Sequence, residues 1–356
     1  MLEPEEEIIP RHNPKWNKSS IVSCLVSLIS VSFTHFSFSL LPFFLPASSF
    51  LSLLPLSAVL LVLVMGLGIL CKRVAGVRAS APAFVFFSIL FVWAIYISVV
   101  RRVISSLLDI VVNIEMIMVL IGLCCIMSSD PGILTHHSCA HLSVRNSIDE
   151  IESHGEELEV STFVGHQESP AEEEFIRYRR VRYCRYCKNY VMGLDHHCPA
   201  FGNCIGQRNH ALFVVLVVGF AISEASFVVC ASHFTAKSET SKFVGEKPIT
   251  FRNLAVGTAL FCVIQVVWQV VFIMWHVHCA CFNIKTDEWI NWKNYPEFQS
   301  KVIPHECQPH PDTQFINPYD KGILRNLKEF FATDAYLPCR LRSSSIKSSF
   351  HLLHNA

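Results

Sequence analysis

Charge is what this sequence has least of. Only 16% of its 356 residues are Asp, Glu, Lys or Arg, against about a quarter in a soluble domain. Its 29 acids and 29 bases cancel to a formal net charge of zero, which removes the basic field that draws a protein to nucleic acid. A secreted disulfide framework is also missing. The fifteen cysteines are scattered and many sit inside apolar runs, a usage that fits a reducing compartment. There is no internal repeat. The chain opens on Glu3, Glu5, Glu6 and Glu7, followed by Arg11, Lys15 and Lys18, and this acidic start argues against a cleaved signal peptide. What remains is 51% apolar with a mean hydropathy of +0.39, the composition of a protein whose solvent is lipid.

Six apolar stretches have about the length of a bilayer-crossing helix, which needs ~20 residues. They run from Ile21 to Leu45 (rich in serine), Phe50 to Cys71, Ala83 to Val100, Val103 to Met127, Ala211 to Phe234 and Leu254 to Phe282. Asp109, Glu115 and Glu224 fall inside them. Such acids are costly in lipid and are expected to face protein or lie near an interface. Lys72, Arg73 and Arg78 follow the second stretch, which puts that end in the cytosol. Four spans before residue 133 then place the N-terminal tail and the centre of the chain on the same, cytosolic side. Arg101 and Arg102, and the basic loop from Lys237 to Arg252, run against that tendency, and a three-span count would move the N-terminus across. Residues 133–176 carry ten Asp and Glu with no usable periodicity and read as a disordered cytosolic linker.

Between the fourth and fifth stretches lies the densest chemistry of the chain, Arg182 to Phe213, with four cysteines, three histidines and one aspartate. Cys184 and Cys187 have the knuckle spacing that lets two thiolates reach one ion from a tight turn. With a histidine and Cys204 they make a closed Cys3His set of the kind structural zinc takes, and a small loop with little core gains folding energy from such an ion. The candidate ligands are Cys184, Cys187, His196 or His197, Cys198 and Cys204. Zinc needs four, so one cysteine and one histidine are left over beside Asp195. A spare thiol next to a spare imidazole held by a carboxylate is the composition of a covalent catalyst: Asp195 orients His196, and His196 takes the Cys198 proton. Spacing alone does not decide which histidine binds zinc. His276, His278, Cys279 and Cys281 at the end of the last stretch read as interfacial residues, because a helix cannot easily aim all four at one ion.

Asp195-His196-His197-Cys198-Pro199, Asn203-Cys204-Ile205-Gly206, Asn209 and Phe213 together resemble the DHHC protein S-acyltransferases. Asp130-Pro131-Gly132 resembles that family's Asp-Pro-Gly motif. Lys285-Thr286-Asp287-Glu288 resembles its Thr-Thr-x-Glu motif with the first threonine lost, and Asn317-Pro318-Tyr319-Asp320 with Gly322 and Asn326 resembles its C-terminal segment. The resemblance covers about residues 103 to 331. It implies an all-α polytopic membrane protein with about six transmembrane helices, a four-helix family core plus N-terminal spans, and a small cytosolic zinc-binding loop. It implies that Cys198 carries a fatty acyl group taken from palmitoyl-CoA or another long-chain acyl-CoA and passes it to a cysteine of a membrane-associated protein. It further implies His196 and Asp195 as base and orienter, and one zinc ion on Cys184, Cys187, His197 and Cys204. The implied site of action is an endomembrane (Golgi or ER) or plasma membrane, with the catalytic loop in the cytosol. Nucleic acid is not an expected partner. The corresponding organisation is a cytosolic tail (1–20), N-terminal transmembrane helices (21–127), an acidic linker (128–176), the cysteine-rich domain (177–210), two transmembrane helices (211–282) and a cytosolic C-terminal region (283–356).

Two departures stand out. The family's usual first zinc site is missing as a unit, since its four ligand positions here are Pro170, Glu173, Tyr183 and Tyr190. The tryptophan that usually follows the motif's proline is Ala200, with Phe201 next to it to refill the space. The lost site also motivates a rival, a zinc-stabilised membrane scaffold without catalysis. A transporter working through Asp109, Glu115 and Glu224 leaves the cysteine cluster unexplained. Thr286, Glu288 and Asn326 are expected to brace the loop, and Arg177, Arg179, Arg180 and Arg182 form a basic run that is either a solvated face or an attraction for anionic lipid and CoA phosphates.

Overall fold

The computed structural model describes residues 18–45, 49–76, 78–134, 180–240, 249–301 and 313–332. Six helices in it are long and apolar enough to cross a membrane: α1 (Lys18–Phe44), α2 (Phe50–Ala75), α3 (Ala81–Ile95, continued to Val103 by a π turn and a 3-10 turn), α4 (Ser106–Ser128), α5 (His210–Thr240) and α6 (Ile249–Cys281). The chain is a multi-pass, mainly helical membrane protein, as expected, and the helix ends lie within a few residues of the sequence boundaries. Leu51, Val62, Leu63 and Leu107 are more than half exposed on these helices, a surface that only lipid would cover at no cost. Of the expected acidic linker, residues 135–176 lie outside the described residues, as do Pro170, Glu173, Arg177 and Arg179.

Two compact units emerge. The first combines residues 1–99 with 242–261. Within it α1 packs on α2 and α3. Its serines do not contradict lipid, because their hydroxyls return to the backbone one turn earlier: Ser30 donates to the Val26 carbonyl at 2.7 Å and Thr34 to that of Ser30 at 2.8 Å. Such bonds satisfy groups that hydrocarbon would leave unpaired. Ser27 reaches across to the Ser80 carbonyl at 2.9 Å, tying α1 to the start of α3. Ser49 caps α2, and Gly76 ends it in the left-handed region at φ 67°, the position where glycine carries no Cβ penalty.

The second unit comprises residues 100–241 and 262–356. Here α4 packs on α5. Arg101 pairs with Asp109 at 2.9 Å, so the acid at the start of α4 and the basic residue before it answer one another. Glu224 of α5 hydrogen-bonds Gln269 of α6. Between α4 and α5 the cysteine-rich segment forms two short antiparallel hairpins, β1 (Val181–Cys184) with β2 (Asn189–Met192) and β3 (His196–Cys198) with β4 (Asn203–Ile205). After α6 come a single helical turn and a half, α7 (Thr286–Asn291), a hairpin of β5 (Gln299–Lys301) and β6 (Thr313–Phe315), and the amphipathic helix α8 (Ile323–Ala332). Phe298, Tyr319, Cys279 and Ile284 close a small core there.

The end of α4 positions the hairpins. Asp130 Oδ1 accepts from the Gly132 and Ile133 amides at 2.8 and 2.9 Å, and Asp130 Oδ2 meets Arg208 at 2.6 Å. Gly132 sits at φ 103°, where a side chain would be strained. The start of the expected linker is thereby ordered: Ile133 bridges Val191, and Leu134 donates to the Tyr190 carbonyl at 3.0 Å. A Cβ on Gly206 would collide with the Pro131 carbonyl and come within 2.7 Å of Val191, so that glycine is a contact requirement. Asn203 donates to the carbonyls of Ile126 and Ser129, both at 2.9 Å. Asn209 donates to Ser129 Oγ at 2.9 Å and to the Cys204 carbonyl at 3.0 Å while accepting from Gly206 N at 2.9 Å. The two asparagines stitch α4, β4 and the start of α5 together.

Candidate functional site

The site is built on strand alternation. Successive side chains of a strand point to opposite faces, so β3 sends His196 and Cys198 one way and His197 the other. His197 pairs in register with Cys204 on β4, and its Nδ1 lies 3.4 Å from Cys187 Sγ and 3.6 Å from Cys204 Sγ. The Cys204 and Cys187 sulfurs are 3.3 Å apart, and Cys184 Sγ accepts from the Cys187 amide at 3.4 Å. One ligand atom from each of Cys184, Cys187, His197 and Cys204 falls within 4.8 Å of the others, a group that could hold a metal ion. Burial and the two neighbouring sulfurs push the Cys204 thiol well up, so three thiolates in this space call for a cation. Tyr186 stacks on His197 at 4.8 Å and orients the ring.

On the opposite face, His196 Nδ1 lies 2.7 Å from Asp195 Oδ2 and the imidazole also hydrogen-bonds the Cys198 thiol. Burial alone would lower the His196 pKa. The hydrogen bonds from Asp195 and Cys198 override it and push His196 up to about 9. Burial alone would raise the Asp195 carboxyl, yet the surrounding imidazoles of His210, His196 and His276 hold it well below the ordinary carboxylate range. Asp195 is completely buried and Cys198 is 8% exposed.

Asp195 is fixed from the C-terminal side as well. Its Oδ1 accepts from the Thr286 amide at 2.9 Å, and its carbonyl accepts from the Asp287 amide at 3.1 Å. Thr286 Oγ1 in turn accepts from Trp275 Nε1 at 3.0 Å. Glu288 holds α7 by accepting from the Lys285 amide at 2.9 Å and forms a two-pronged pair with Arg180 at 2.6 and 2.7 Å. Arg180 also donates to Asn283 Oδ1 at 2.7 Å and lies over the Tyr319 ring at 4.3 Å. Arg182 pairs with Glu297 at 2.7 Å and covers Tyr295 at 3.9 Å. These two arginines therefore do not form the solvated basic face: each is spent on an internal carboxylate and an aromatic ring. Asn326 is a brace, donating to the Cys281 carbonyl at 2.8 Å and to Asp320 Oδ1 at 2.7 Å.

Some positions differ from the sequence expectation. His276, near the end of α6, is buried in protein, and its Nδ1 lies 3.2 Å from His210 Nε2. His278 stacks on Trp275 at 5.5 Å, and Cys279 is buried in the core below α6. His210 and Lys285, which sequence reasoning passed over, sit beside Asp195: His210 Nε2 is 3.7 Å from Asp195 Oδ1, and Lys285 Nζ is 3.0 Å from His210 Nδ1. Histidine next to Asn209 and lysine in the place of a threonine were the available signals. At the vacated ligand positions, Tyr183 and Tyr190 face each other across β1 and β2 with rings 5.1 Å apart, an aromatic cross-strand pair of the kind that stabilises hairpins. Phe201 packs edge-on to Phe213 at 5.8 Å and stacks with Phe220 at 6.5 Å, refilling the space beside Ala200.

Comparison with known proteins converges on this segment. A profile of the DHHC palmitoyltransferase family matches residues 168–293. The human palmitoyltransferase ZDHHC18 is 25% identical over 183 residues, 46% of this chain and 43% of that protein. The rat palmitoyltransferase ZDHHC17 is 25% identical over 161 residues, 43% of this chain and 24% of that protein. The probable protein S-acyltransferase 1 of Arabidopsis thaliana is 30% identical over 155 residues, 43% of this chain and 39% of that protein. The chain thus spans less than half of the length of the curated relatives it matches.

Proposed function

Because residues 168–293 belong to the DHHC palmitoyltransferase family, we propose that the chain is a protein-cysteine S-acyltransferase working through a thioester on Cys198. The observation that carries the proposal is the hydrogen-bonded series Asp195, His196, Cys198, with the last two on one face of β3. His196 takes the Cys198 proton, and the thiolate attacks the thioester carbon of a long-chain acyl-CoA such as palmitoyl-CoA. The CoA thiolate leaves and takes the proton from His196. A cysteine thiol of a membrane-associated protein then gives its proton to His196 and attacks the acyl-enzyme, and Cys198 leaves as the thiolate to be reprotonated. Each step exchanges one thioester for another, so the free-energy change is small and the catalyst needs chiefly position and proton control. Asp195 is the orienter, since its carboxylate fixes the His196 ring and stabilises the imidazolium. A nucleophile that is only 8% exposed favours transfer to a thiol over hydrolysis.

Cys184, Cys187, His197 and Cys204 would hold one zinc. In a tetrahedral site with Zn–S of about 2.3 Å and Zn–N of about 2.0 Å, ligand atoms lie ~3.5–3.8 Å apart, and the 3.3, 3.4 and 3.6 Å separations come within about 0.5 Å of that spacing. Such an ion supplies folding energy to the loop. The placement of the loop in the cytosol rests on Lys72 and Arg73 in the last turn of α2 and the positive-inside tendency. Golgi, ER or plasma membrane is the site of action.

The test is autoacylation. Wild type and Cys198→Ser, purified in detergent, are given an alkyne-tagged palmitoyl-CoA and read with and without hydroxylamine. Hydroxylamine-labile label that vanishes in Cys198→Ser is the expected result. No label on a folded, metal-loaded wild type would sink the enzyme reading and leave a membrane scaffold, which the aromatic pair at the lost ligand positions would suit equally.

A further inference from the structure

The site contains a buried ammonium for which the acyl-transfer chemistry has no stated use. Lys285 is 9% exposed, and burial together with the Arg180 guanidinium lowers its pKa from the ordinary lysine range. Its Nζ lies 3.0 Å from His210 Nδ1. A protonated amine has three donors and no acceptor, so while Lys285 is charged Nδ1 of His210 is the bare nitrogen and the ring proton sits on Nε2. That Nε2–H faces His276 Nδ1 at 3.2 Å and Asp195 Oδ1 at 3.7 Å. The lysine therefore dictates which nitrogen of an imidazole beside the orienting carboxylate carries a proton.

We propose that Lys285 is a positioning residue for acyl transfer: through His210 it keeps the Asp195 carboxylate committed to His196. The inference rests on the acyltransferase reading. Its physical content is a choice of partners. Asp195 Oδ2 serves His196 at 2.7 Å and Oδ1 serves the Thr286 amide at 2.9 Å. A neutral His210 adds only a long contact. A charged His210, donating from both nitrogens, would draw the carboxylate towards itself and compete with His196. With Lys285 in place, charging His210 would set two cations 3.0 Å apart, a steep Coulomb cost in a dry site. The other charged or titratable groups around this point are Asp195, His196, His276 and Cys279, with the Arg180–Glu288 pair behind Lys285. Threonine, the family's residue here, has no charge with which to do this.

The experiment compares wild type, Lys285→Met and Lys285→Thr by the rate of Cys198 acylation from tagged palmitoyl-CoA, at several acyl-CoA concentrations and from about pH 8 to about pH 6. Metal content and thermal midpoint are measured on the same samples. Lys285→Met removes one of the causes that keep His210 uncharged and leaves the largest, burial, in place, so acylation by the variant is expected to fall more steeply than wild type between about pH 8 and about pH 6. KM for acyl-CoA is expected to stay the same and the loss to appear in the maximal rate. Lys285→Thr, whose side chain the family accommodates at this position, should show the same acid limb and guards against a methionine that misfolds. Variants that track the wild-type pH profile would overturn the proposal. So would an equal loss at every pH accompanied by loss of metal or a lowered melting midpoint, which marks a brace. Absence of label on wild type would instead overturn the acyltransferase reading, and this one with it.

Discussion

The Arg180–Glu288 pair offers the sharpest energetic test. Its side chains are 12% and 2% exposed, and the two N–O distances are 2.6 and 2.7 Å. Breaking a buried pair by removing one partner typically costs about 3–5 kcal/mol, because an uncompensated charge stays behind. The two single variants are not equivalent. Arg180→Met leaves Glu288 with the Lys285 amide at 2.9 Å. Glu288→Leu leaves two buried cations, Arg180 and Lys285, and takes away the acceptor that starts α7. Arg180 keeps Asn283 and the Tyr319 ring, which moderates its cost. We therefore expect Glu288→Leu to be the worse variant, near the top of the ~3–5 kcal/mol range, Arg180→Met to be near the bottom, and the double variant to be milder than either single. With about 1.3 °C of midpoint per kcal/mol for a 356-residue chain, the single variants should melt ~4–7 °C below wild type. The assay is thermal unfolding in detergent, followed by tryptophan fluorescence and by residual Cys198 labelling after heating. A double variant as unstable as Glu288→Leu would refute the reasoning, since the cost would then lie in the lost pair and not in the stranded charge.

Other expectations follow from the geometry. Cys184→Ser or Cys187→Ser should drop the zinc content measured by mass spectrometry from about one ion per chain towards zero and abolish acylation, because a three-ligand remnant loses the closed tetrahedral site. Gly206→Ala should fail to yield folded protein by size-exclusion profile, since its Cβ collides with the Pro131 carbonyl. Asn203→Ala strands the Ile126 and Ser129 carbonyls, which accept at 2.9 Å, and should lower stability by about 1–3 kcal/mol in thermal or denaturant unfolding. Phe201→Ala should cost about 3–5 kcal/mol by the same measurement through the cavity between Phe213 and Phe220, with Phe201→Leu much milder.

What could be read before the fold was known divides along a physical line. The spans were legible because hydrophobic length is a local property, and Leu51 or Val62 need no partner to declare lipid. The proposed metal quartet and the proposed nucleophile were legible as a composition, a surplus of one cysteine and one histidine. The choice between His196 and His197 was not a property of spacing. It follows from β3 being a strand, which three residues of sequence do not announce. The roles of Lys285 and His276 were missed for a related reason: both depend on where the end of α6 and the start of α7 bring them, 75 and 66 positions in sequence from His210, the partner they approach. Arg180 and Arg182 looked like surface charge because their partners, Glu288 and Glu297, lie more than a hundred residues downstream.

The alternation along β3 carries one more implication. Side-chain period on a strand is two, so a slip of a single residue exchanges every side chain between the two faces. In β3 such a slip would turn His196 towards Cys184, Cys187 and Cys204 and present His197 where the base belongs. The proposed quartet of ligands would forbid it, since an ion held by His197 on one side would index His196 and Cys198 on the other. In the proposed enzyme the metal would serve as a locating pin: away from the acyl chain, it would fix which imidazole the thiol finds beside it.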